Sequence, residues 1–528
     1  MTRIPRYTPI CGAHRREGIR FFRMAAAAIF LAGAVASAQE RATGVVYHDA
    51  NENAVRDPGE EGIPGVGVSN GRDVVLTDDE GRYRLPVSND TILFTIKPTN
   101  WQTRLDENNL PRFYYIHKPE GSPPGGKFPG VEATGPLPES VDFPLYQDDE
   151  PTTFDMIVFG DPQPRNVEEV HYIAHDIVEE LVGSEAAFGV TLGDIVFDDL
   201  DVFEPLNGVI GTIGVPWYNV IGNHDLNMDT EDDTLSDETF ERLYGPSYYS
   251  YNYGGVHFVV LDNVVWEGDG YHGEFGKEQL EFVKNDLDHV DDEALVVYLM
   301  HIPLVDVDDK ADFFAIIDER PRTFSISAHW HRQRHYAMGK EDGWQKEGSH
   351  HHLVHGTVSG SWWTGLKDEF DIPHTMMRDG TPNGYSIATF RNNRYAFRYK
   401  AARRPAEFQM SVYAPSVVET GGLEDAEIIA NVFMGSNESE VHMRIGEDGD
   451  WIPMTHDVRP DPYYEKLKAR EYYLPPAAGR SLPSIADSMH IWAAPLPSDT
   501  PVGTHVVYVK ATDIFGQEIH GKRIVRVK

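Results

Sequence analysis

"FDMIVFGDPQ", residues 154–163, begins as an apolar run fit for a buried strand and stops abruptly at Gly160, Asp161 and Gln163. A near-continuous apolar stretch of this length reads as a strand covered on both faces, as in a parallel sheet. A lone Asp at the end of such a strand is most often a turn residue. Its role therefore depends on whether the neighbouring strands end the same way.

They do. Downstream, "AAFGVTLG", "VPWYNVIG", "GGVHFVVLD", "EALVVYLMH" and "TFSISAHWH" read as further strands. Between the first two strands, Val167, Val170, Ala174, Ile177 and Leu181 recur at helical spacing. The alternation predicts layered sheets with helices outside over residues 148–400. Five of these strands end in metal-capable residues: Asp161 with Gln163, Asp194, the Asn223-His224-Asp225 group, His301, and His329 with His331. Sites in open α/β sheets gather at the carboxyl ends of strands, so the five groups can meet. In extended backbone, His329 and His331 would point the same way and Trp330 the other.

The set offers oxygen from Asp161, Gln163, Asp194 and Asn223, and imidazole nitrogen from His301, His329 and His331. This mixture suits Mn, Fe or Zn better than Ca. Seven ligands are too many for one such ion with an open position. Two ions sharing a carboxylate fit better, and pairs about 3.5–4 Å apart serve hydrolytic phosphoryl transfer.

The ordered set of Asp161, "GDIVFDD", "GNHD", "MHIP" and "SAHWH" resembles the motifs of the calcineurin-like metallophosphoesterases. The resemblance implies that Asp161, Gln163 and His331 hold one divalent ion and Asn223, His301 and His329 the other, with Asp194 bridging. It implies hydrolysis of phosphomonoesters or phosphodiesters by metal-hydroxide attack, with His224 as general acid; Mn is the favoured metal because the amide oxygen of Gln163 suits a harder ion. The chain departs from the pattern twice. Gln163 stands where many members have His, and Phe197 stands where an acid commonly steadies the catalytic His, leaving Asp198 for that task. The tyrosine ligand that purple acid phosphatases carry at that place is absent as well. "YYSYNYGGVHFVVLDN" and "GSWWTGLKDEFDIPHTMMRDGTPNGY" are similar to a bacterial exported branch whose catalytic domain lies between two β-domains. Arg378, Trp362 and Asn383 are candidates to line the substrate pocket, Arg being well shaped to clamp phosphate. Core packing is the competing role for Trp362 and Trp363.

The flanks agree with that architecture. Residues 39–147 carry short strands with Gly and Pro turns and read as a β-sandwich. In residues 401–528 strand signals return without helices, suggesting a second one. The first flank contains "DANENAVRDPGE", with Asp49, Asn51, Asn53, Asp57 and Glu60 at the first, third, fifth, ninth and twelfth places of an EF-hand-like loop. Ala54 replaces the usual Gly, and the loop is similar to calcium loops in B-type repeats of bacterial adhesins. A structural Ca site and a plain Asx-rich turn are both consistent with it.

Residues 1–38 read as a secretory signal: Arg15, Arg16, Arg20 and Arg23 precede the apolar "MAAAAIFLAGAVA", followed by small residues at Ala36 and Ala38. Export to the periplasm or medium is expected. The apolar stretch is shorter than the ~20 residues that span a bilayer, so no stable membrane anchor is expected. Cys11, the only cysteine, lies in this stretch, leaving no thiol chemistry for the mature chain. The net charge of −38 repels nucleic acid and anionic surfaces, and the expected partner is a small organic phosphate ester. Oligomeric state is left open. The rival reading is a binding module for surface glycan or polymer, its central domain degenerate at Gln163.

Overall fold

In a computed structural model, residues 40–474, 476 and 480–528 are described. The expected signal, residues 1–38, lies outside them. Two sheets form the middle of the fold. The first comprises β1 (Thr153–Phe159), β2 (Phe188–Leu192), β3 (Trp217–Val220), and, later in the chain, Gly384–Arg391 and Arg394–Ala401. Its order is β3-β2-β1 followed by the Gly384–Arg391 and Arg394–Ala401 hairpin. β1, β2 and β3 run parallel, with Ile157 level with Gly189 and Val190 level with Tyr218. The second sheet contains β4 (Tyr249–Tyr253), β5 (Val256–Val260), β6 (Leu295–Leu299), β7 (Thr323–Ser327), β8 (Arg334–Met338) and β9 (His350–Val354), in the order β4-β5-β6-β7-β9-β8. β5, β6, β7 and β9 are parallel neighbours.

β2, β3, β5 and β6 are buried along their whole length, which is why they appear in sequence as apolar runs rather than alternating ones. The two sheets share one core, in which the ring of Phe258 on β5 packs edge-on against Phe154 and Phe188. Helices α1 (Val167–Asp176), α2 (Phe203–Gly211), α3 (Glu238–Tyr244), α4 (Lys277–Leu287) and α5 (Lys310–Ile317) occupy the connections. In α1, Asn166 caps the first turn by accepting the Glu169 N–H, and Val170, Ile173 and Ile177 face the core.

On the N-terminal flank, a five-stranded sheet including Arg41–His48 and Phe143–Gln147 faces a four-stranded sheet including Thr91–Ile96. Val46, Val68, Leu85, Leu93 and Leu145 fill the space between. On the C-terminal flank, a four-stranded sheet with Glu427–Val432 and Ile491–Pro495 faces a five-stranded one with Gly503–Thr512 and Glu518–Val527, around Ile428, Met443, Trp492 and Val507. The fold is thus a layered α/β core with sandwiches on both sides. One expectation fails: the C-terminal flank does contain a helix, α6 (Pro462–Arg470). Asp461 caps it by accepting the N–H groups of Tyr463 and Tyr464, Pro462 opens its first turn, and Tyr464 and Leu467 pack on Met376 and Leu482.

Candidate metal centre

The polar residues that end β1, β2, β3, β6 and β7 converge at one edge of the two sheets. Asp161, Gln163, Asp194, Asn223, His301 and His331 are all buried. The backbone there is unusual, with positive φ at Asp161 (35°), Gln163 (47°), Asp194 (47°), Asp198 (57°), His329 (65°), His331 (51°) and Trp362 (58°). Non-glycine residues seldom adopt this region, and such strain concentrates at functional sites. Two glycines admit the close contacts. A Cβ on Gly160 would lie 2.6 Å from the Gly356 carbonyl oxygen, and one on Gly193 (φ 82°) would lie 2.5 Å from His301 Nδ1.

These dihedrals correct the expectation for "HWH". β7 ends at Ser327, and His329 and His331 sit in left-handed turns rather than extended backbone. They therefore diverge. His329 Nδ1 lies 3.1 Å from His301 Nε2, while His331 Nε2 lies 3.2 Å from Asp161 Oδ2.

The ligand-type atoms form two groups. In one, Asp161 Oδ2, Gln163 Oε1 and His331 Nε2 are buried without any hydrogen-bond partner. His331 Nδ1 donates to the Gly360 carbonyl at 2.5 Å, so its Nε2 carries a free lone pair. In the other, His301 Nε2 lies 3.1 Å from Asn223 Oδ1 and close to His329 Nδ1. His301 Nδ1 donates to the Leu192 carbonyl at 2.8 Å, so Nε2 is the atom that would ligate once a cation displaces its proton. Asp194 stands between the groups: Oδ2 accepts from Gln163 Nε2 at 2.7 Å, and Oδ1 lies 3.2 Å from His301 Nε2. Asp194, His301 and His329 each offer an atom within 4.8 Å of the others.

Buried polar atoms without partners are costly and rare, so the three orphans on Asp161, Gln163 and His331 fit a cation-binding role. Electrostatics agree. Burial alone would raise the Asp194 pKa, but His301 and His224 outweigh it and hold the carboxyl low. Burial likewise opposes a charge on His301, yet the Asp194 carboxylate pushes it up to about 9. Burial and the neighbouring His301 push His329 down to about 4.

His224 stands beside these groups. Its Nδ1 is 2.6 Å from Asp198 Oδ1, and its backbone N–H donates to Asp194 Oδ1. Burial opposes its protonation, but Asp194 and Asp198 prevail and the pKa is raised. Phe197 lies flat on the His224 ring, with centroids 4.2 Å apart. Asp225 is structural: its carboxylate accepts the N–H groups of Ile195, Val196 and Gly222, tying the turns after β2 and β3 together.

Of the proposed pocket residues, Trp362 is at the site, its ring stacked on His331 at 3.9 Å. Trp363 is buried in the core, with Nε1 donating to the Pro162 carbonyl. Arg378 and Asn383 are committed elsewhere. Arg378 donates to the Ser484 carbonyl and hydroxyl, and Asn383 donates to Asp176 and the Val358 carbonyl. The structure does not bring these two to the metal residues. Two residues that sequence reading passed over are close. The Tyr271 ring stands edge-on 5.9 Å from His329, and Arg165 lies 4.1 Å over the Phe197 ring. Arg165 had a signal, being the first cation after Gln163 in "DPQPR".

The Asp49–Glu60 loop turns back on itself. Asp49 accepts the Asn53 and Ala54 N–H groups, Asp57 accepts the side-chain amides of Asn51 and Asn53, and Glu60 accepts the Ala50 and Asp57 N–H groups. The histidines of "HHHLVH" are satisfied within the fold. His350 and His352 share Ser325, His351 bonds His335 and Tyr395, and His355 bonds Ser386.

A model of the N terminal of Calcineurin-like phosphoesterase matches residues 50–130, and one of the C terminal of Calcineurin-like phosphoesterase matches residues 351–519. A comparison with curated proteins finds no match. Among solved structures, the chain is similar to a purple acid phosphatase isolated from yellow lupin (Lupinus luteus) seeds. The identity is 13% and the TM-score 0.35, over 69% of this chain and 67% of that one. That likeness is too distant to bear on the site. The two matched segments bracket the metal residues from Asp161 to His331, and the matches support a metallophosphoesterase of the calcineurin-like type.

Proposed function

We propose that the chain is an exported dinuclear phosphoesterase that cleaves small organic phosphomonoesters or phosphodiesters. The observation that carries this reading is the trio of orphaned atoms on Asp161, Gln163 and His331, set beside the Asn223–His301–His329 group with Asp194 between them. Asp161, Gln163 and His331 would hold one divalent ion, and Asn223, His301 and His329 the other. Bound there, the pair would supply positive charge to the phosphoryl oxygens and a water acidified to near neutral pH. Mn is favoured because an amide oxygen suits a harder ion.

The remaining work falls to the side chains. Asp198 fixes the proton on His224 Nδ1 and stabilises the imidazolium, so that Nε2 can give its proton to the leaving oxygen. Trp362 covers one face of His331 and shields it from water. Export is supported by the sequence of residues 1–38, and among the described residues no helix is long and apolar enough to cross a membrane.

The test is turnover of nitrophenyl phosphate and bis-nitrophenyl phosphate by the purified chain with Mn, Zn, Fe or Mg. Asp194→Asn serves as the inactive control. Turnover that Asp194→Asn abolishes supports the reading. Its absence under every ion would favour the binding-module alternative.

A further inference from the structure

We propose that Arg165, backed by Arg480, forms an oxyanion-binding subsite on the leaving-group side of the metal centre. The preferred esters then carry a second anionic group, a carboxylate or another phosphate, on the departing alcohol. The inference rests on the phosphoesterase reading, because it takes its direction from His224 as the acid. Whatever is bonded to the leaving oxygen must lie against His224. Phe197 is stacked on that ring at 4.2 Å, and the Arg165 guanidinium lies 4.1 Å from the Phe197 centroid. The guanidinium also reaches the metal residues from the other side: Nη1 donates at 2.7 Å to the carbonyl of Trp362, whose ring covers His331.

Two guanidiniums gather here in an acidic molecule. Acids outnumber bases 84 to 46 along the chain, yet here two guanidiniums share one carboxylate. Glu169 Oε2 is 3.6 Å from Arg165 Nη1, and Glu169 Oε1 pairs with Arg480 Nη1. Asp198, the other carboxylate that acts on Arg165, is already bonded to His224. The Arg165 backbone N–H donates to Glu169 Oε2 at 2.9 Å, the Trp362 carbonyl is the one acceptor within hydrogen-bond distance of the guanidinium among the described residues, and the side chain remains 26% exposed. Its other donors are free for a ligand. A guanidinium held flat on a ring keeps its planar fork pre-organised for carboxylate or phosphate.

Phenylphosphonate, 4-carboxyphenylphosphonate and benzene-1,4-diphosphonate are suitable probes, because none can be hydrolysed and binding is read by calorimetry on the Mn-loaded chain. A charge-assisted contact predicts that one or both doubly charged probes bind wild type about 10-fold or more tighter than phenylphosphonate. Which of the two gains more tells carboxylate from phosphate. Arg165→Gln should remove that preference while leaving phenylphosphonate affinity, metal content and melting temperature in place, and Arg165→Lys should restore part of it. Equal affinities for all three probes in wild type would overturn the subsite. So would a preference that survives in both Arg165→Gln and Arg480→Gln, or a uniform loss of all three probes in Arg165→Gln, which would mark Arg165 as structural. Failure of phenylphosphonate itself to bind would overturn the metal-centre reading and the subsite with it.

Discussion

At Gln163 one amide does two things at once. Its Nε2 steadies Asp194 Oδ2, while its Oε1 is left facing the metal group without a partner. An amide oxygen donates more weakly than imidazole to Zn or Fe and loses less with Mn or Mg. Wild type should therefore give up one ion on mild chelation and recover with Mn. Gln163→His should retain closer to two metals per chain by elemental analysis after dialysis. Asp161→Asn should lose at least about 100-fold in metal affinity, the upper end of what removing even a ligand's supporting partner costs. Two tightly held ions in wild type, unchanged in Gln163→His, would show that the amide does not weaken its site. His224 is tested through the leaving group. General acid catalysis is worth about 10² to 10⁴ in rate, so His224→Ala should suffer that loss on an alkyl ester and much less on a nitrophenyl ester, whose phenolate departs unaided. Equal losses on both would remove His224 from the acid role.

At the scale of elements, the strands were readable because β2, β3, β5 and β6 are buried end to end and so are written as apolar runs. The convergence of Asp161, Asp194, Asn223 and His301 followed from strand direction alone. What the pattern hid was backbone conformation. Nothing in "SAHWH" shows that His329 and His331 take positive φ, and α6 escaped because "PYYEKLKAR" places two apolar contacts among charges, although Asp461-Pro462 is a readable start. The turn after β2 turns on Gly193. Alanine there would meet the His301 ring at 2.5 Å and adopt a φ of 82°, which disfavours any Cβ. Gly193→Ala should displace His301, lowering retained metal below the wild-type value and destabilising the fold by about 1–3 kcal/mol, the usual range for overpacking. Unchanged metal content would mean that the imidazole can yield without losing its place. The Asp49–Glu60 loop is tested through Asp57, the half-buried acceptor of the Asn51 and Asn53 amides. A calcium site predicts a melting temperature that rises with Ca in wild type and not in Asp57→Ala, since a ligand bound only by the folded state stabilises it. A calcium-insensitive melt assigns the loop to a plain Asx turn.

On the scale of the whole molecule, the C-terminal sandwich is tied to the metal centre through one buried carboxylate. Asp379 accepts the Gln333 N–H at 2.8 Å and the Thr381 N–H at 2.9 Å, and its Oδ2 is 3.1 Å from His490 Nε2. His490 Nδ1 in turn meets Asn431 Oδ1, while the Asn431 amide donates back to the Asp379 carbonyl and to Asp461 at the start of α6. Gln333 lies two residues beyond His331, and its Oε1 accepts the N–H of Gly356. The sandwich therefore braces the loop that presents a metal ligand. Asp379→Ala would leave the Gln333 and Thr381 N–H groups and His490 Nε2 buried without an acceptor. The expected cost is about 3 kcal/mol or more, with weaker metal retention at the His331 group as a second readout. The pH dependence has a definite sign. Burial would raise the Asp379 pKa, but His490 and the two backbone donors outweigh it and the net shift is downward. A carboxyl lowered in the folded state contributes its full stability above the unfolded value of about 3.9 and loses it as pH falls through the folded value. Urea midpoints of wild type should therefore drop on acidification below about pH 4 more steeply than those of Asp379→Asn, which has no carboxyl to titrate. Parallel slopes in the two proteins would show that Asp379 is not the group through which acid loosens the sandwich.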